Sequence, residues 1–118
     1  MKLYKHASHV ILMIALAFTG IFASGSAGAS GATTTLAHVL VWSVGNLVYV
    51  YPTDAITGGP ACGSAHPYYS FSYSRPMAAA YLAGLLAAQA RGATVTIWGA
   101  GTCTDESYSE TLDYFEVS

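Results

Sequence analysis

An apolar block from Val10 to Ala23 limits what the rest of this chain can be. Lys2 and Lys5 precede it, and small residues ending in Ala27-Gly28-Ala29 follow it, the three-part form of a signal peptide. The block is about 14 residues long, and crossing the hydrocarbon core of a bilayer takes about 20, so no permanent membrane anchor is expected. Cleavage after Ala29 fits, and so does cleavage after Ala32, because Ser30-Gly31-Ala32 also places small residues where a signal peptidase reads them. The expected product is one domain, residues 30–118, secreted or periplasmic and roughly 90 residues long.

Removing residues 1–29 takes both lysines with it. Arg75 and Arg91 then face six acidic side chains, Asp54, Asp105, Glu106, Glu110, Asp113 and Glu116, for a net charge of −4 with histidine neutral. Binding to a phosphate backbone works through a basic patch that releases counterions, so a nucleic-acid partner is not expected. Export also sets the chemistry of the two cysteines. In an oxidising compartment Cys62 and Cys103 should form a disulfide. The loop so closed spans about 40 residues, and the chain-entropy estimate for it is about 4 kcal/mol. The alternative, a reactive or metal-binding thiol pair, lacks a C-x-x-C spacing or a nearby Cys/His cluster.

Hydrophobic periodicity gives the order of elements. Thr35 to Pro52 is rich in Val, Leu, Tyr and Trp and is interrupted at Gly45-Asn46, which predicts a strand, a tight turn and a strand. Leu36, His38, Leu40 and Trp42 are expected on one face of the first strand, with Ala37, Val39 and Val41 on the other. In the second, Leu47, Tyr49 and Tyr51 alternate with Val48 and Val50. Apolar residues on both faces predict cover on both sides. Thr53 to Pro60 has the turn chemistry of a loop. Tyr68 to Ser74 then alternates strictly, with Tyr69, Phe71 and Tyr73 opposite Tyr68, Ser70, Ser72 and Ser74.

At Ser74-Arg75-Pro76 the period changes. Ser74 is a candidate N-cap, Pro76 suits a first turn, Met77 to Ala90 is made of helix formers, and Gly92 sits where a left-handed C-cap belongs. Tyr81, Leu82, Leu85, Leu86 and Gln89 form the stripe expected to pack on the sheet. The other face, Ala79, Ala80, Ala83, Ala87 and Ala90, carries no charge. Ala93 to Trp98 is the next strand, Gly99 to Ser107 a loop holding Cys103, and Thr111 to Val117 the last strand, with Leu112, Tyr114 and Glu116 opposite Asp113, Phe115 and Val117. The expected fold is mainly β with one helix (α+β): a small five-stranded OB-fold-like barrel in the order β-β-β-α-β-β.

Particular segments carry a family resemblance. His38-Val39-Leu40-Val41, Val48-Tyr49-Val50, Gly59-Pro60-Ala61-Cys62, and the helix end from Leu86 to Arg91 running into Gly92-Ala93-Thr94-Val95-Thr96-Ile97 together resemble the B subunit of the subtilase cytotoxin and related OB-fold toxin B subunits. The likeness covers about 60 residues of the mature chain. It implies a homopentameric ring that binds sialylated or related cell-surface glycans and carries a separate catalytic A chain. Two departures stand beside it. Ser30 to Thr34 lacks the polar segment that contributes to sugar binding in the toxin, and the cysteine pairing must differ because the second strand here has no cysteine. No sugar-contacting residue is therefore carried over.

The side chains themselves nominate a binding surface. Tyr68, Ser70 and Ser72 share the more polar face of one strand and are candidate ligand contacts, next to a general surplus of aromatic residues suited to sugar rings. Ala79, Ala80, Ala83 and Ala87 are candidates for an oligomer interface, since small side chains allow close approach. His38 and His66 lack any metal-ligand spacing, and the acidic residues from Asp105 onward lack the EF-hand pattern and are expected on a solvated loop and strand face. No serine has a nucleophile-elbow frame, so neither a metal, a cofactor nor an enzymatic activity is expected. The leading expectation is a secreted, oligomeric, toxin-B-like subunit that recognises host-cell carbohydrate. The alternative is a secreted protein-binding or structural module that uses the same barrel.

Overall fold

The computed structural model describes residues 28–118. The expected signal peptide lies outside the described residues except for Gly28 and Ala29. Six strands and one helix follow: β1 Gly31–Thr34, β2 Leu36–Trp42, β3 Leu47–Pro52, β4 Tyr69–Ser72, α1 Ala78–Arg91, β5 Val95–Gly99 and β6 Glu110–Val117. The protein is mainly β, as expected, but with six strands in one sheet ordered β1-β5-β6-β4-β3-β2. All neighbours are antiparallel except β4 and β6, which are parallel.

The additional strand is β1. Its sequence, Gly-Ala-Thr-Thr, has no hydrophobic period, and it is extended because it pairs with β5, Gly31 opposite Trp98 and Thr34 opposite Val95. One residue, Thr35, separates β1 from β2, yet these two strands stand at opposite edges of the sheet. The sheet must therefore curl until its edges meet at Thr35. The Thr35 carbonyl accepts from Thr53 N–H at 2.9 Å, and the two threonine hydroxyls lie 2.8 Å apart.

Two bulges correct the predicted faces. In β2 the register shifts between Leu36 and His38, so Leu36 is buried while His38 is exposed, and the two do not share a face. In β6 Gly99 pairs with Leu112 but Trp98 with Tyr114, which leaves Asp113 as the extra residue. Leu112 is thus buried, Tyr114 lies outside, and Phe115 and Val117 return to the core. One extra residue inverts every later side chain in a period-two strand. Elsewhere the alternation holds: Val48 and Val50 from β3, Tyr69 and Phe71 from β4, and Val95 and Ile97 from β5 are fully buried. Cover on both sides, expected for the whole hairpin, holds for β3 but not for β2, whose Leu40, Val41 and Trp42 are exposed.

Helix α1 closes one side of this core with Ala78, Leu85 and Ala88 buried and Tyr81 and Leu82 packed beside them. Leu86, expected in the stripe, is exposed instead. Ser74 is not the N-cap. Arg75 N–H bonds to the Ser72 carbonyl and Ala78 N–H to the Arg75 carbonyl, so Ser74 to Met77 form a turn and the helix begins after Met77, which holds a left-handed conformation (φ 64°). Gly92 ends the helix in the left-handed region, φ 60°, as expected. Among the described residues no helix is long and apolar enough to cross a membrane.

Candidate functional site

The side of β3 and β4 away from the core carries a run of aromatic rings. Because Val48 and Val50 point inward, Tyr49 and Tyr51 point outward, and cross-strand pairing sets Leu40 and Ser70 on either side of Tyr49 and His38 next to Tyr51. Tyr68, just before β4, is the hub. Its ring centroid lies 4.9 Å from Tyr49, 4.9 Å from Tyr51 and 5.3 Å from His66. The run extends through Trp42, stacked 5.9 Å from Tyr49, through His38, stacked 3.9 Å from Tyr51, and through Tyr108, 6.2 Å from His66. Tyr49 is buried, whereas Trp42 and Tyr108 are 44% and 64% exposed.

A carboxylate anchors the middle of this run. Ser70 is small enough to let the loop before β6 lie against β4, and that loop brings Glu106 to within 3.0 Å of the Tyr49 hydroxyl, which donates to it. Ser109 Oγ lies 2.6 Å from the second Glu106 oxygen and 2.5 Å from Ser70 Oγ. Ser109 Oγ is the donor in both contacts and has one proton to share between the two acceptors. Asp105 accepts from Ser72 N–H at 2.8 Å. Burial, followed by the Glu106 hydrogen bond and charge, pushes the Tyr49 phenol far above its ordinary value; burial and then the Glu106 charge raise Tyr68 as well. Both stay protonated, and Tyr49 donates to Glu106. The disulfide between Cys62 and Cys103 ties this loop region to the short 3-10 turn Ala61–Gly63.

The sequence-nominated residues fall in different places. Tyr68 is at the centre of the run. Ser72 is half-buried on the same strand, and Ser70 is fully buried, so its hydroxyl supports Ser109 rather than meeting solvent. Ala79, Ala80, Ala83 and Ala87 are exposed on α1. The acidic residues are not a uniformly solvated face: Asp105 and Glu106 are bonded into the site, and Glu110 is buried. Sequence reasoning did not bring Glu106, Ser109 or Tyr49 together with Tyr68. The only signal was the alternation of Tyr49 and Tyr51 on one face of the neighbouring strand.

Comparison with protein-family models, with curated proteins and with solved structures returned no match. The chemistry of the site therefore has to be taken from its own atoms. Among the described residues no serine or threonine hydroxyl is hydrogen-bonded to a histidine, and no group of three or more His, Cys, Asp or Glu is arranged to hold a metal ion. What the surface offers is aromatic ring faces, phenolic donors and a carboxylate acceptor whose lone pairs are partly used. Those groups suit a ligand with many hydroxyls and apolar C–H faces.

Proposed function

We propose that this chain is a secreted carbohydrate-binding domain with an OB-like barrel, which takes sugar rings against the aromatic run and associates with copies of itself. The observation that carries the reading is the placement of exposed Trp42, His38 and Tyr108 around a hub of buried Tyr49 and half-buried Tyr68, with Glu106 at its centre. Ring faces can stack on the C–H faces of a sugar, while Glu106 and the phenols exchange hydrogen bonds with its hydroxyls. The OB-like part is supported by the parallel β4–β6 pair and by a helix inserted between the third and fourth long strands, if β1 and β2 count as one strand bent at Thr35.

Electrostatics narrows the ligand. The resemblance to toxin B subunits implies sialylated glycans, whose carboxylate calls for a cation or a row of free donors. Here Glu106 and Asp105 are the charged groups at the site, and both arginines lie elsewhere, Arg75 at β6 and Arg91 in the last turn of α1. A neutral glycan is favoured over an acidic one. Titration of the mature, oxidised domain against a broad glycan array tests this. Binding of neutral structures that is abolished by Trp42→Ala and by Glu106→Ala is expected. Binding confined to sialylated structures, or none at all, refutes the reading.

A specific observation also favours the protein-binding alternative. Leu40, Val41, Trp42 and Val44 leave a sheet edge and its hairpin tip exposed and apolar, next to a groove of about 280 Å³ lined by Val41, Trp42, Leu47, Tyr73 and Leu82. An uncovered apolar edge invites pairing with another chain. Light scattering after size-exclusion chromatography separates the outcomes: a closed oligomer agrees with the self-associating subunit, and a monomer that captures no sugar leaves the protein-binding module.

A further inference from the structure

Away from the aromatic run, the fold builds a closed compartment around one carboxylate. Glu110 is 4% exposed, and its two oxygens accept from Ser30 N–H at 2.9 and 3.3 Å and from Ser30 Oγ at 2.7 Å. Ser30 is itself 3% exposed, and its hydroxyl lies 2.6 Å from the Tyr69 hydroxyl. Three glycines make the room. A Cβ on Gly99 would overlap the Glu110 carboxylate, one on Gly63 would stand 2.9 Å from Glu110 N, and one on Gly59 would stand 3.0 Å from Glu110 Oε1.

A carboxylate this deep normally has a cationic partner, since burying an unpaired charge is costly. Among the described residues no basic side chain reaches it. Arg75 donates to the Leu112 and Asp113 carbonyls, Arg91 is exposed at the end of α1, His38 stacks on Tyr51, and His66 sits between Tyr68 and Tyr108. The groups that do reach it are the main-chain nitrogen and the hydroxyl of Ser30, the residue directly after Ala29, and of these the nitrogen is the one that can become a cation.

We propose that the Ala29–Ser30 bond is the maturation site, and that the new α-ammonium of Ser30 pairs with Glu110 and locks the N-terminal strand in place. The inference rests on the reading of residues 1–29 as a signal peptide. In the cleavage, water adds across the Ala29–Ser30 amide: hydroxide joins the Ala29 carbonyl carbon, the C–N bond breaks, and the released amine takes a further proton to become an ammonium below its ordinary pKa of about 8. The neutral amide donor at Glu110 is thereby replaced by a cation with three donors, at the same atom and without moving the chain. The bond is cut while the chain is extended, because Ser30 is enclosed once folded. Cleavage after Ala32 is disfavoured, since it would remove Ser30, leave Glu110 without these partners and take away two residues of β1.

The full chain, expressed with residues 1–29 in a secreting bacterial host, is examined by intact mass and N-terminal sequencing. A chain beginning at Ser30 is expected. One beginning at Thr33 overturns the pairing while keeping the signal-peptide reading, and one retaining Met1 sinks both. A second measurement needs no variant. The mature chain contains no lysine, so an amine-reactive ester can label only the α-amine. The folded protein should resist labelling at least tenfold compared with the urea-unfolded protein; equal rates overturn the proposal. Finally, a chain starting at Ser30 should melt several degrees above one starting at Ala29, and Glu110→Gln should erase that gap; a gap that persists in Glu110→Gln contradicts it.

Discussion

Arg75, in the turn before the helix, donates through Nη2 at 3.2 Å to the carbonyl of Asp113, the residue that bulges out of β6. Its Nη1 takes the neighbouring Leu112 carbonyl, and the Tyr81 hydroxyl, whose ring lies under the guanidinium at 4.9 Å, adds a second bond to the Asp113 carbonyl at 2.9 Å. A bulge interrupts the ladder and leaves main-chain acceptors unpaired. Arg75 and Tyr81 satisfy them from outside the sheet.

Replacing Arg75 by alanine should therefore destabilise the domain by roughly 2 kcal/mol, the scale of lost charge-assisted hydrogen bonds. Arg75→Lys should recover less than half of the loss, because an ammonium cannot reach two carbonyls as a planar fork does. Urea unfolding of the three proteins measures this. Equal midpoints for wild type and Arg75→Ala would show that the bulge does not depend on this cap.

The disulfide is open to a direct test. Cys62 and Cys103 are 41 residues apart, and opening the bond should cost about 4 kcal/mol through the added freedom of the unfolded chain. The Cys62→Ser/Cys103→Ser protein should unfold at clearly lower urea, with a loss similar to that produced by reductant in the wild type. The loop holding Glu106 and Ser109 should exchange its amide hydrogens faster in the same variant.

Alkaline stability follows from the tyrosines. The Tyr49, Tyr68 and Tyr69 phenols all titrate above their ordinary value in the folded protein, chiefly through burial. Their contribution is complete below the unfolded-state value of about 10, and it is lost as pH rises beyond that, because the unfolded chain then releases protons that the native one holds. Thermal unfolding across that range should show a steep fall in midpoint. Tyr49→Phe, which cannot ionise, should make the fall shallower.

Gly99→Ala is expected to be far more damaging than its one added methyl suggests. The new Cβ would occupy the space of the Glu110 carboxylate, forcing a buried charge away from Ser30. A loss of about 3 kcal/mol is expected, the scale for breaking a buried charged contact. Gly58→Ala is a useful control: nothing lies within 4 Å of its Cβ, and the only penalty is its left-handed backbone, φ 78°. Similar losses in the two variants would count against a closed compartment.

Much of the β framework is visible in the residues. Tyr69 and Phe71 read correctly because β4 has no bulge and its two faces differ sharply in polarity. Gly92 ended the helix because its chemistry is local. The failures have physical causes of a different kind. β1 is held by β5 from more than 60 residues away, so its own sequence shows little. Bulges at Ala37 and Asp113 cost one residue each and leave no pattern until the partner strand is known. Ser74 has the right chemistry for a cap, but Arg75 and Pro76 close a turn first. Glu110 looks like any surface acid; only Gly59, Gly63 and Gly99, scattered in sequence, hint at the space it needs. Within the aromatic run Tyr68 could be found from alternation, whereas its union with Glu106 depends on a loop crossing that no local period encodes.

The splitting of the first strand at Thr35 also bears on the order of assembly. β2 can zip onto β3 as soon as the hairpin at Ser43–Asn46 forms, but β1, though earlier in the chain, has nothing to pair with until β5 exists. Loop closure over that distance is slow compared with a hairpin. β1 therefore docks later than the β2–β3 hairpin although it precedes both strands in the chain, and residues around Ser30 stay accessible throughout the interval.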